Sequence, residues 1–120
     1  MVLYVAHPLG KGLERDRNLN RVENWLGYLL KKHPNDALVL SWPMYAAVLD
    51  EHTSRERGMR DDLAILSKCD GILLCGAFIS PGMLEELTHY VKLRAERGAP
   101  INVYSYVGSE YPPEATDESM

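Results

Sequence analysis

The sequence predicts an α/β domain of the flavodoxin-like or Rossmann-like kind, a three-layer sandwich around a parallel sheet of about four strands in the order 2-1-3-4. Three observations lead there. Short β-rich runs alternate with longer stretches of helical periodicity along the chain, which is how consecutive βαβ units read. The third of those runs is nearly all apolar, as expected of a strand covered on both faces. Finally, 120 residues of which 46% are hydrophobic suit a single core.

Val2–Ala6 is the first strand, stopped where His7-Pro8-Leu9-Gly10 opens a loop. A helix capped by Asn18 or Asn20 and running to about His33 follows, because Val22, Trp25, Leu26, Leu29 and Leu30 recur at helical spacing before Pro34-Asn35 ends the pattern. Residues 37–41 read as a buried second strand, with Trp42-Pro43-Met44-Tyr45 as the loop at its carboxyl end. A second helix is expected over about 54–68, with Met59, Leu63 and Leu66 on one face. Residues 71–75 form the third strand. Ser80 caps a third helix, Pro81 takes its first position, where a missing N–H costs nothing, and the helix continues to about Gly98. Residues 101–107 make the fourth strand. The domain is therefore expected over 1–107. From Gly108 to 120 the acidic, Pro- and Ser-containing composition predicts a mobile tail, since it cannot bury enough apolar area to offset ordering entropy.

The formal net charge of -4 and the pI near 5.5 give no basic field for a polymeric nucleic acid. No apolar run approaches the roughly 20 residues that span a bilayer, and Met1 leads straight into a strand, so a cytoplasmic location without membrane contact is expected. Cys69 and Cys75 flank one strand with no C-x-x-C pair or histidine cluster, so they read as reduced, packed thiols rather than a disulfide or a metal site. The loop after the first strand lacks G-x-G-x-x-G, and there is no G-x-x-x-x-G-K-[ST], so neither a dinucleotide nor a P-loop is indicated and no cofactor is expected.

In a doubly covered parallel sheet, ligands bind beyond the carboxyl ends of the strands where the strand order reverses. That points to the loops His7–Gly10, Trp42–Tyr45 and 76–82. At about 100° per residue, Met83, Leu84, Leu87, Tyr90, Val91, Leu93 and Ala95 of the third helix share an arc, and Glu86 falls inside it near the Leu93 edge. Arg94 shares the arc but sits in the last turn, where it reaches water; Glu85 points to the polar side. A glutamate beside an apolar stripe requires a partner: a salt bridge, a rim position, or a role in a ligand crevice. Asp62 lies about 40° from the stripe of the second helix while Asp61 points outward. Two converging carboxylates suit glycosidic chemistry, one attacking or stabilising the anomeric carbon and the other handling protons. A solvated Asp62 balanced by Arg57 or Arg60 fits the same spacing.

Val2-Leu3-Tyr4-Val5-Ala6 with its short loop, Asp62-Leu63-x-x-Leu66-x-x-Cys69-Asp70 before the third strand, and Ser80-x-Gly82-x-x-x-Glu86 after it resemble, in order and spacing, the nucleoside 2-deoxyribosyltransferase superfamily. That group includes the transferases, the 2-deoxynucleoside 5-monophosphate N-hydrolases and small phage and bacterial relatives, and the likeness covers about residues 2 to 105. It implies that Glu86 is the nucleophile that forms a glycosyl-enzyme at C1 of the sugar, that Asp62 assists proton transfer to the departing base, and that Tyr4 holds the Glu86 carboxylate. It also implies that Ser80, with Gly82 and the exposed amides at that helix start, meets a 5-phosphate, although a plain cap explains Ser80 too. The chain departs from the pattern at His7-Pro8, where relatives often carry glycine, and at Thr88. His7 is a candidate contact for phosphate or base, and Trp42, Met44 and Tyr45 for stacking a base, or alternatively for closing the core. Asp70 reads as structural. Relatives complete the pocket from a neighbouring subunit, so a homodimer or larger homo-oligomer is expected. The expected function is cleavage or transfer at the N-glycosidic bond of a nucleoside or nucleoside monophosphate, the alternative being a non-catalytic nucleotide-binding or signalling module on the same fold.

Overall fold

A computed structural model of the chain describes residues 1–10, 12–40 and 51–113, with the side chains of 51–55 excepted. Its elements are β1 (Val2–Ala6), α1 (Gly12–Lys32), β2 (Ala37–Val39), α2 (Glu51–Leu66), β3 (Gly71–Gly76), α3 (Pro81–Glu96) and β4 (Asn102–Val107). The four strands form a parallel sheet in the order β2-β1-β3-β4, as the sequence predicts. The order reverses between β1 and β3, so their carboxyl ends flank the crevice expected of such a sheet.

The two central strands explain the layering. Side chains alternate across a strand, so Leu3 and Val5 of β1 and Leu73 and Cys75 of β3 pack on one face against Trp25 and Leu29 of α1. Tyr4 and Ala6, with Ile72 and Leu74, pack on the other face against Leu66 of α2 and Met83 and Tyr90 of α3. Every residue of β3 is buried, which is why it reads as an unbroken apolar run.

Gly71 is required where β3 starts, because a Cβ there would lie 2.7 Å from Leu3 Cδ2 and 2.9 Å from the Asn102 carbonyl oxygen. Gly76, at φ 104°, ends β3 in a conformation that favours glycine, and a Cβ would meet Pro8 Cδ at 2.8 Å. The carboxyl ends of β1 and β3 can therefore approach closely. Asp70 is structural, as expected: its Oδ2 accepts from Val2 N at 2.8 Å, and its carbonyl accepts from Tyr90 Oη at 2.7 Å and from Asn102 Nδ2 at 3.1 Å. One residue thus ties β1, α3 and β4 together.

The first helix departs from the sequence reading. It begins at Gly12, a turn and a half before the expected cap, and Asn18 lies inside it. The first turns carry Leu13 out to solvent beside Glu14, Asp16 and Arg17, so the apolar rhythm that marks a helix starts only at Val22. Asn18 is buried and its Nδ2 donates to Leu9 O at 2.8 Å, fastening the loop after β1 to α1. β2 is shorter than expected and β3 one residue longer. The loop Trp42–Tyr45 lies outside the described residues. Glu110 has specific partners where a mobile tail was expected to begin: Trp25 Nε1 donates to Glu110 O at 3.0 Å, and Arg21 Nη2 lies 3.5 Å from Glu110 Oε2. Among the described residues, no helix is long and apolar enough to cross a membrane.

Candidate active site

The third helix is built to present Glu86 inward. Ser80 is its N-cap, its Oγ accepting from Met83 N at 3.2 Å, and Pro81 follows at the first position. Met83, Glu86 and Tyr90 are the buried residues of the helix, three and then four positions apart, with Leu87 and Val91 packed beside them. Glu86 therefore stands in the middle of the buried stripe rather than at its edge. The correction comes from Leu84, which is 56% exposed and so does not share the inward arc assigned to it. Glu85 is exposed, as its spacing predicts.

Glu86 is 7% exposed, and the Tyr4 hydroxyl from β1 donates to its Oε2. Tyr4 lies at the centre of the sheet and is completely buried, so its ring fixes the hydroxyl and the hydroxyl fixes the carboxylate. The Glu86 carboxyl is raised to about 7: burial pushes it up most, the Tyr4 hydroxyl pulls the other way by stabilising the ionised form, and the negative charges of Asp62 and then Glu85 add to the rise.

Asp62 of α2 is 8% exposed and acts on Glu86 through its charge. Its neighbour Asp61 is met by two arginines: Arg57 Nε lies 3.4 Å from Asp61 Oδ2, and Arg60 Nε lies 3.5 Å from Asp61 Oδ1. The sheet and the two helices on its second face thus bring Tyr4, Asp62 and Glu86 into one neighbourhood. A buried carboxylate that titrates near neutrality, held by a hydroxyl and facing a second carboxylate, can exchange protons and can attack an electrophilic carbon.

The other candidate residues fall in different places. Ser80 sits half-buried at the start of α3, six residues before Glu86, with its oxygen already accepting the cap bond. Gly82 lies where that first turn meets α2; a Cβ there would meet Met59 Cε at 3.4 Å, an ordinary contact with the end of a flexible side chain. His7 lies on the α1 side, in a hollow whose walls include neither Tyr4 nor Glu86. Trp42 and Met44, with Tyr45, are outside the described residues. The sequence reading missed Arg21 and Glu110, which meet beside that hollow. No local signal could pair them, because α1 and the segment after β4 stand at opposite ends of the chain.

A doubly covered parallel sheet with a tyrosine-held, buried carboxylate on α3 beside a second one on α2 defines the class: a small α/β domain with an acidic, water-shielded site. The chain belongs to the family described as a domain of unknown function (DUF7768), whose model matches residues 1–99. The match includes Tyr4, Asp62, Ser80 and Glu86 and stops before β4. None of the curated proteins matches the chain.

Proposed function

We propose that the protein cleaves or transfers at the N-glycosidic bond of a nucleoside or nucleoside monophosphate, with Glu86 as nucleophile. The observation that carries this reading is the buried Glu86 carboxylate, bonded by Tyr4 and facing Asp62. The resemblance to the nucleoside 2-deoxyribosyltransferase superfamily supplies the substrate class, through the same three residues in the same order. Ionised Glu86 attacks C1 as the bond from C1 to the base nitrogen breaks, and Asp62 relays a proton from solvent to the leaving base. The acceptor then attacks C1 of the glutamyl ester, Asp62 takes the acceptor's proton, and the Glu86 carboxylate is released. Water as acceptor makes the reaction a hydrolysis; a second base makes it a transfer. Tyr4 is a positioning residue that keeps the attacking oxygen aimed and favours its ionised form.

The same reading places the protein in the cytoplasm as a homodimer or larger homo-oligomer that acts on a small molecule. Phe78, Ile79 and Leu84, all substantially exposed around the start of α3, support self-association. Light scattering with Leu84→Glu tests it, the expected result being a smaller species.

Incubation with a panel of deoxynucleosides, ribonucleosides and their monophosphates, read as released base, tests the activity. Release that Glu86→Gln abolishes, while the variant stays folded, is the expected outcome. Tight binding of a nucleotide without release would favour a non-catalytic nucleotide-binding module instead.

A further inference from the structure

β4 is an open edge of the sheet. Among the described residues it pairs with β3 alone, and the register between them runs from Asn102 to Val107 without a bulge. A strand edge offers unpaired N–H and C=O groups to another strand, and proteins blunt it with charge, proline, a bulge or shortness. β2, at the opposite edge, is three residues long. β4 has six residues, Asn102-Val103-Tyr104-Ser105-Tyr106-Val107, and none of these devices.

The hydrogen bonds show which backbone groups face out. Gly108 N donates to Gly76 O at 2.9 Å, so the even-numbered residues of the strand turn their backbone groups to β3. Val103, Ser105 and Val107 turn theirs away. Val107 N reaches Ser105 Oγ at 3.5 Å, and the outward amides of Val103 and Ser105 face no strand among the described residues. The residues around them are open as well: Ile101 is 47% and Val103 41% exposed, and Ser105 is exposed.

The sequence of this edge selects a second copy of the chain as its partner. From Gly98 to Ser109 there is no charged residue, in a chain that is 25% charged with a net charge of -4. Two acidic molecules meet at least cost along such a neutral strip, because like charges opposite each other across strands are destabilising. The strand is also complementary to itself. Turned antiparallel about a two-fold axis at Ser105, it sets Ser105 against its own copy, Val103 against the partner's Val107 and Tyr104 against the partner's Tyr106. The outward backbone groups then fall opposite one another as hydrogen-bonded pairs, and aromatic and β-branched side chains pair across the strands. Tyr104 and Tyr106 are held beforehand on the α1 face, Tyr104 against His33 with ring centroids 5.1 Å apart and Tyr106 edge-on to Tyr28 at 6.0 Å, so little side-chain entropy is lost when they pair. A two-fold contact of this kind is closed and leaves the short β2 strands as the edges of the joined sheet.

We infer that two copies of the protein join through β4, antiparallel about Ser105, into one continuous sheet. The inference does not rest on the glycosyl-transfer reading, and it uses none of Phe78, Ile79 and Leu84.

Strand pairing buries less than a standard interface, so the contact is expected to be reversible, with a Kd on the order of 10 µM. Sedimentation equilibrium of the full chain from about 1 to about 300 µM spans that value, and amide hydrogen exchange over the same range reads the edge itself. The expected result is reversible association in which exchange at the Val103 and Ser105 N–H groups slows roughly fivefold or more between the dilute and the concentrated sample. Val103→Lys puts an ammonium at an exposed edge position and is expected to abolish that dependence, whereas Leu84→Glu is expected to leave it in place. Ser105→Cys, on the axis, brings two thiols within disulfide reach and is expected to crosslink under mild oxidation. Val103→Cys, on the same face, is expected to crosslink far less, because it stands opposite Val107. The native Cys69 and Cys75 are buried and do not compete. Should Val103→Lys unfold, the two cysteine variants decide. A chain that stays monomeric over the whole range, edge exchange independent of concentration or unchanged by Val103→Lys, or equal crosslinking of the two cysteine variants would each overturn the proposal.

Discussion

At the scale of single residues, the molecule accepts one costly placement: a glutamate in the middle of a buried stripe. The pKa near 7 has a consequence for stability that can be signed. An acid whose folded pKa lies above its unfolded one binds more protons when folded, so its contribution is full below about pH 4.5 and is lost as pH rises toward 7. The loss amounts to roughly 3 kcal/mol for this group. Denaturant unfolding at pH 5 and pH 8 should show that decline, and Glu86→Gln should flatten it and leave the variant more stable than the parent at pH 8. The neighbours shift the titration in opposite senses: by carboxyl NMR, Asp62→Asn should lower the Glu86 midpoint and Tyr4→Phe should raise it, because Asp62 disfavours the ionised form and the Tyr4 hydroxyl favours it. A midpoint near 4.5 in the parent would mean that the carboxylate is solvated.

At the scale of elements, α3 and the glycines of β3 aim that side chain. Ser80→Ala removes the cap and should cost about 1 kcal/mol in equilibrium unfolding, without moving the Glu86 titration if Ser80 only starts the helix. Gly71→Ala should cost more, about 1–3 kcal/mol, because its new methyl meets Leu3 and a backbone carbonyl; an unfolding curve identical to the parent's would contradict the packing described for β1 and β3. Much of this scale was legible in the sequence. The Ser80-Pro81 start, the apolar run of β3 and the inward position of Glu86 are local patterns, and local patterns survive folding. The start of α1 was not legible, because its first turns put Leu13 in water and carry no apolar rhythm, and Leu84 was misjudged because a helical arc does not say how much of it the rest of the molecule covers. Asp62 was legible as a direction, but the contacts of Arg57 and Arg60 with its neighbour Asp61 were not, because the spacing offers both arginines to either carboxylate.

At the scale of the whole molecule, contacts between distant parts of the chain determine what composition cannot. The segment after β4 has an acidic, disorder-prone composition, yet Glu110 returns to Trp25 and Arg21 on α1. Truncation after Val107 should therefore speed hydrogen exchange at the Trp25 indole N–H while leaving the Glu86 titration in place, since the two lie on opposite faces of the sheet. The same separation sets His7 apart from the carboxylate pair, although the sequence offered both to one crevice. What joins Tyr4, Asp62 and Glu86 is the sheet order itself, which stacks β1 beside β3 and lays α2 and α3 over the same face. The central claim is that Glu86 becomes esterified by a sugar, and acid-quenched incubation with a deoxynucleoside monophosphate, followed by peptide mass mapping, tests it most directly. The expected result is a deoxyribosyl phosphate adduct on the peptide carrying Glu86 that is absent from Glu86→Gln; base release with no adduct on that peptide, or with the adduct on another residue, would contradict it.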